Sequence, residues 1–266
     1  MNSQCAPKDI VILMTSLFHI YDRLIDLHDC YKVLSIMDCY FIISGVPKVC
    51  IDHADKILNL ALGLMFEAKQ VNVPQLNLPV MLRIAIHSGP VVAGVLGKKK
   101  IRYGVVGETV NITKRLLLNS EPGKILVTNS TRLSAAKSAL NAYEMATKGY
   151  LNIGNKQATC TYYLDKNTKQ SIWELTGRSK EANSIGDGYK EVHCSTVMQK
   201  WINIEADIRK QERVIEALQN KTSHFSGATE KLRKMRESFR SHHHSNDSGF
   251  SAGSGTESSS SICTIT

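Results

Sequence analysis

Between residues 7 and 167 the apolar residues switch repeatedly between the three-to-four spacing of helices and the alternation of strands. That switching constrains the fold more than any other feature, because it excludes both an all-helical bundle and an all-β sandwich and points to an α/β domain. After Pro7, the positions Ile10, Met14, Leu17, Tyr21 and Leu24, widened by Val11, Phe18 and Ile25, predict an amphipathic helix. Residues 31–35 and 39–44 are β-rich runs that predict a hairpin with Asp38 at its turn, closed by Gly45 and Pro47. Residues 53–69 predict a second helix on the same core and 72–78 a connector. Residues 81–87 and 91–97 read as two strands joined by a turn at Gly89-Pro90. A short strand at 103–106, a helix from 109 to 118, a strand at 124–128, a short helix from about Ser130 and a strand at 160–164 complete the block.

With 42% hydrophobic and 21% charged residues in a 266-residue chain, enough apolar material is present for one full domain plus flanking segments. The richest apolar run, residues 10–20, is broken by Thr15, Ser16 and His19, so no transmembrane segment and no signal peptide is expected, and the cytoplasm is the expected location. Seven scattered cysteines without a C-x-x-C pair argue against a disulfide framework and a zinc site. The net charge of +9 gathers partly in Lys98, Lys99, Lys100 and Arg102, with no interleaved aromatic ladder, so no nucleic-acid partner is expected.

The folded block spans residues 7–166, followed by a polar linker at 167–194 and a helical segment at 195–240. In that segment Val197, Trp201, Ile204, Ile208, Gln211, Ile215 and Leu218 form a heptad seam, which suits a short coiled coil or a helix docked on the domain. Residues 241–266 are rich in Ser and Gly and are expected to be a disordered tail.

The chemistry concentrates in LRIAIHSGPVVAGVLGKKKIRYGVVGETVNITKR, residues 82–115. Asn111 and Arg115 stand four apart on the helix that follows Gly107, so both project from one face near a helix N-terminus. An amide there can hold a ribose, and a guanidinium can clamp phosphate. Asp38, in a hairpin turn, can aim an oxygen at a divalent cation, although turn aspartates also serve turn geometry alone.

Together with YKVLSIMDCYFIISGVP (31–47) and DHA (52–54), this stretch resembles the catalytic domain of the class III nucleotide cyclases, especially soluble guanylate cyclase subunits. The resemblance implies a ferredoxin-like α/β fold, conversion of GTP to cyclic GMP and pyrophosphate, Mg²⁺ or Mn²⁺ as cofactor, and an active site shared between two subunits. It assigns Asn111 to orienting the ribose, Arg115 to the transition state and Asp38 to metal binding. Lys156, two residues beyond the Gly154 that aligns with the family's triphosphate Lys, becomes a candidate substrate contact. The family's first metal Asp, on a strand of the form F-x-D-I-V-x-F-T, has no counterpart. Asp9-Ile10-Val11 imitates it but belongs to the helical stripe, where Asp9 suits the helix dipole. The domain is therefore expected to lack its first strand, with the gap filled by a partner or an upstream segment. Leu34 and Gly104 stand where the family reads guanine with Glu and Cys.

The Asn/Arg half is thus retained while the metal and base-reading halves are depleted. That asymmetry implies pairing with a second cyclase subunit, in a homo- or heterodimer, that supplies metal carboxylates. Two other functions stay open: a catalytically silent cyclase-homology module that dimerises with and regulates a true cyclase, and an adenylate cyclase.

Overall fold

The structure is a computed structural model that describes residues 5–36, 38–74, 76–153, 158–180, 186–192, scattered helical positions between 199 and 214, and 257–265. Residues 1–198 with 255–266 form one compact unit and residues 199–254 a second. Of the expected seam, Ile204 lies in a helical stretch, whereas Val197, Trp201, Ile208, Gln211, Ile215 and Leu218 lie outside the described residues.

In chain order the elements are α1 (Pro7–Leu27), β1 (Tyr31–Ile36), β2 (Cys39–Ser44), α2 (His53–Ala68), β3 (Asn72–Val73), β4 (Leu78–Pro79), β5 (Arg83–Leu96), β6 (Arg102–Val106), α3 (Glu108–Leu118), β7 (Lys124–Thr128), α4 (Asn129–Ser138), β8 (Tyr143–Leu151), β9 (Thr159–Asn167), α5 (Ile172–Thr176), α6 (Tyr189–Val192) and β10 (Glu257–Ile265). Apart from the small β3–β4 ribbon, the strands form one mixed sheet in the order β1-β2-β10-β5-β7-β9-β8, with β6 also on β5.

Both faces of the sheet are covered. The Tyr40 ring packs on Phe18 and Tyr21 of α1 at 4.8 and 5.2 Å, while its neighbours Phe41 and Ile43 join Val91, Val105 and Val110 of α3 in a separate cluster. Because successive side chains of a strand point to opposite faces, α1 and α3 lie on opposite sides of β2. Two-sided cover explains why Ile42, Ile43, Ile84, Ala85 and Ile86 are all fully buried and why these strands read as continuous apolar runs.

β5 differs from its expectation as two strands. It runs unbroken through Gly89-Pro90, pairing with β7 over residues 83–86 and with β6 over 92–96. Pro90 falls at the changeover between those two neighbours, where its missing N–H removes no ladder bond on that side.

The expectation of a disordered tail from residue 241 is not met over Glu257–Ile265, which form a strand. β10 lies antiparallel between β2 and β5, in register with 40–44 on one side and 84–92 on the other. Two central strands with empty edges would leave backbone groups unpaired at about 1–3 kcal/mol each. That penalty recruits a serine-rich segment whose own residues favour a strand only weakly.

The stretch 167–194 is also more than a linker. Ser171 and Glu174 form a capping box, and α5 buries Ile172, Trp173 and Leu175, with the Trp173 ring 5.3 Å from Phe66 of α2. The carboxylate of Glu67 in α2 is fully buried and accepts hydrogen bonds from Arg23 Nη2 at 2.8 Å and Arg178 Nη2 at 2.5 Å, fastening α1 and the end of α5 to the core.

Candidate active site

The helix that carries Asn111 and Arg115 is fixed against β5 by small residues. A Cβ on Gly89 would stand 2.7 Å from Thr109 Oγ1, so only glycine lets the first turn of α3 come this close. Thr109 Oγ1 donates to the Pro90 carbonyl at 2.6 Å, and Thr113 Oγ1 donates to the Thr109 carbonyl at 2.8 Å. Gly107 bends the chain into the helix at φ +149, a conformation suited to glycine. Thr109, Val110, Thr113, Leu116 and Leu117 form the buried face.

The opposite face holds the charged groups. Asn111, Lys114 and Arg115 are exposed, as the spacing predicted, with Arg115 one turn beyond Asn111. Asp38 is exposed at the turn of the β1–β2 hairpin. Burial raises the pKa of the adjacent Cys39 thiol, the Asp38 charge raises it further, and the Lys114 ammonium opposes both. Lys156, the fourth residue expected from sequence, lies outside the described residues, as does Gly154.

Behind the first turn of α3 is a cavity of about 480 Å³, lined by His87, Gly89, Val106, Glu108, Thr109 and Ile112 among others. Sequence reasoning did not single out His87. Its Nδ1 lies 2.9 Å from Thr128 Oγ1 and 3.1 Å from Ser130 Oγ, and burial lowers its pKa to about 4, opposed by the Glu108 charge. The ring is therefore neutral near pH 7. The available signal was a histidine within an apolar strand, followed by Ser-Gly-Pro.

The two positions that the resemblance aligns with guanine reading, Leu34 and Gly104, lie on β1 and β6. β1 approaches β6 through the Tyr31 and Tyr103 rings, 5.5 Å apart and edge-on. Leu34 on β1 is exposed, and a Cβ on Gly104 of β6 would meet Leu96 Cδ1 at 2.5 Å. Neither position offers a polar atom to a purine edge. Among the described residues no three His, Cys, Asp or Glu side chains gather as a metal-binding group.

The mixed α/β sheet is that of nucleotide cyclase catalytic domains. Residues 1–166 match the family described as the adenylate and guanylate cyclase catalytic domain, and the chain belongs to that family. It is 42% identical to the soluble guanylate cyclase gcy-37 of Caenorhabditis elegans over 261 residues, covering 98% of this chain and 36% of that protein. It is 36% identical to the guanylate cyclase soluble subunit beta-2 of Rattus norvegicus over 174 residues, covering 65% of this chain and 25% of that one. Among solved structures, the guanylate cyclase domain of RhGC from Catenaria anguillulae in complex with GTP superposes with a TM-score of 0.56 at 29% identity, covering 62% of this chain and 88% of that one. The chain thus spans little more than a third of the length of gcy-37 and a quarter of that of the beta-2 subunit. No helix among the described residues is long and apolar enough to cross a membrane.

Proposed function

We propose that this chain is a cytoplasmic guanylate cyclase subunit that supplies one half of a composite active site, converting GTP to cyclic GMP and pyrophosphate with a complementary chain. The observation that carries this reading is the pairing of Asn111 and Arg115 on the exposed face of α3, held in place by the Gly89 and Thr109 contacts. Ring closure needs the ribose 3′-oxygen held in line with the α-phosphorus, and a cation where charge grows on the phosphorane. The Asn111 amide orients the ribose and the Arg115 guanidinium takes up that charge, with Lys156 as a further phosphate contact.

Class III cyclase domains use divalent metal ions, and Mg²⁺ or Mn²⁺, when bound, neutralises the triphosphate. One exposed turn carboxylate does not make a metal centre, so the remaining ligands are assigned to the complementary subunit and Asp38 to a supporting position. Specificity for guanine over adenine would rest on contacts other than positions 34 and 104.

A second reading, a catalytically silent module that binds and regulates a true cyclase, is favoured by the apolar Leu34 and side-chain-free Gly104. Cyclic GMP and cyclic AMP formation by the chain, alone and with complementary cyclase subunits, separates the two. The enzyme reading predicts activity only in a mixture, and a fall of about 10²–10³ with Arg115→Ala at unchanged binding. Binding without gained activity, or gained activity indifferent to Arg115→Ala, supports the silent module and refutes the enzyme reading.

A further inference from the structure

The far end of the β5–β6 pair stands out from the sheet. β5 pairs with β7 over 83–86 and with β10 over 84–92, so from residue 93 onward β6 is its one neighbour among the described strands. Residues 93–96 and 102–105 therefore form a two-stranded arm, and such a ribbon is marginal in water unless it is packed. Its base is packed: Ala93, Tyr103 and Val105 join the cluster around Phe41 and Val91, with the Tyr103 ring against Tyr31. Its outer part is bare. Val95, Leu96 and Ile101 are 67%, 41% and 70% exposed, three aliphatic side chains around one turn. The apex between them is basic and tightly built. Lys98, Lys99, Lys100 and Arg102 are all exposed, and no acidic residue occurs between positions 68 and 107. Gly97 turns the chain at φ +93, where a Cβ would stand 2.6 Å from the Lys100 carbonyl oxygen, so the three lysines are displayed on a closed turn that only glycine permits.

We propose that the tip of the β5–β6 arm docks on a membrane surface carrying anionic lipids, with Lys98, Lys99, Lys100 and Arg102 at the lipid phosphates and Val95, Leu96 and Ile101 in the boundary between headgroups and acyl chains. Charge complementarity selects an anionic partner, and the aliphatic residues select which one. Against nucleic acid they would stay wet, whereas the interfacial layer of a bilayer accepts apolar side chains and cationic ends together. Each cation close to an anionic leaflet strengthens binding about fivefold, so four of them with modest apolar burial suffice for reversible attachment at the surface. None of these residues is assigned a part in turnover, so docking and catalysis stand or fall separately.

Flotation of the full chain with lipid vesicles tests the docking. Vesicles of phosphatidylcholine with about 30% phosphatidylserine are expected to bind at least about tenfold more tightly than pure phosphatidylcholine, with the difference shrinking as ionic strength rises. Replacing the three lysines together, Lys98→Glu, Lys99→Glu and Lys100→Glu, should weaken binding to the anionic vesicles about 10²-fold or more. Ile101→Ser leaves every charge in place and should weaken it about threefold to tenfold. Ile101→Trp reports on insertion directly: relative to the unaltered chain, its emission should move to shorter wavelength with the anionic vesicles and stay put with pure phosphatidylcholine. All these positions are exposed, so the thermal midpoint should hold in each variant. Equal binding to the two kinds of vesicle would overturn the proposal, as would indifference to Ile101→Ser or no shift in Ile101→Trp. Binding that survives the lysine replacements would belong to another basic stretch, such as 221–240, and would overturn it too. Tighter binding to a nucleic-acid duplex than to the anionic vesicles would overturn it in favour of nucleic acid. Cyclic nucleotide formation enters none of these readouts, so failure here leaves the enzyme reading standing.

Discussion

The junction of α3 with β5 and the edge where β1 meets β6 carry neighbouring parts of one candidate site, yet they are equipped very differently. At the junction, Gly89, Gly107, Thr109 and Thr113 each answer a packing or hydrogen-bonding need, and their effect is to present Asn111 and Arg115 outward. At the edge, the positions that the resemblance aligns with base reading hold an exposed leucine and a glycine. The contrast teaches that the α3 junction is built to hold two polar side chains outward, while the β1–β6 edge carries no polar side chain at positions 34 and 104.

Substitutions on the two sides should have unlike consequences. Asn111→Ala, at an exposed position, is expected to reduce cyclase activity of the assembled pair by about 10² while leaving the thermal midpoint within about 1 °C. Steady-state kinetics and a thermal scan on the same preparation check both halves of that statement. A comparable drop in the midpoint would show that the outer face of α3 is structural after all.

Acidification should strain the inner side of the junction. The folded-state pKa of His87 is lowered to about 4 by burial, below an ordinary value of 6.5, so its contribution to stability is present above pH 6.5 and is lost as pH falls towards 4. The loss is on the order of 3 kcal/mol, and His28, whose pKa burial also lowers, adds in the same direction. Denaturant titrations at pH 7 and 4.5 should show this, with a smaller difference in His87→Gln. An unchanged difference in that variant would remove His87 from the account.

Gly89→Ala places a methyl group 2.7 Å from Thr109 Oγ1 and should cost about 1–3 kcal/mol, with reduced activity because α3 is displaced. Full stability with full activity would mean that α3 needs no such close approach. The smallest effect is expected at the edge. Leu34→Glu restores an acceptor for guanine N–H groups and should raise the GTP to ATP preference about tenfold, without altering stability by more than about 0.5 kcal/mol. Comparing kcat/KM for the two nucleotides in the assembled pair measures it, and no change in the ratio would mean that position 34 does not face the base.

Much of this was legible from residue spacing. α1, the β1–β2 hairpin, α2 and α3 follow from periodicity and from Pro7, Gly45 and Gly107. The outward pairing of Asn111 and Arg115 follows from a four-residue interval. What escaped depends on tertiary context. Gly89-Pro90 has the local chemistry of a turn, and only the changeover of β5 from β7 to β6 explains how a strand passes through it. The Ser258–Ser261 run has the composition of a tail, and only two unpaired central edges explain its entry into the sheet. The capping box at Ser171 and Glu174 was readable, but the burial of Trp173 against Phe66 was not. His87 was hidden because its partners, Thr128 and Ser130, lie some forty residues along the chain.

The central claim is that Asn111 and Arg115 reach across a two-chain interface to hold a cyclising nucleotide. A structure of the assembled pair with a non-cyclising GTP analogue tests it most directly. The account predicts the Asn111 amide within hydrogen-bond distance of the ribose and the Arg115 guanidinium against the α-phosphate, with metal-binding carboxylates contributed by the other chain. Both groups facing open solvent, away from any bound triphosphate, would contradict it.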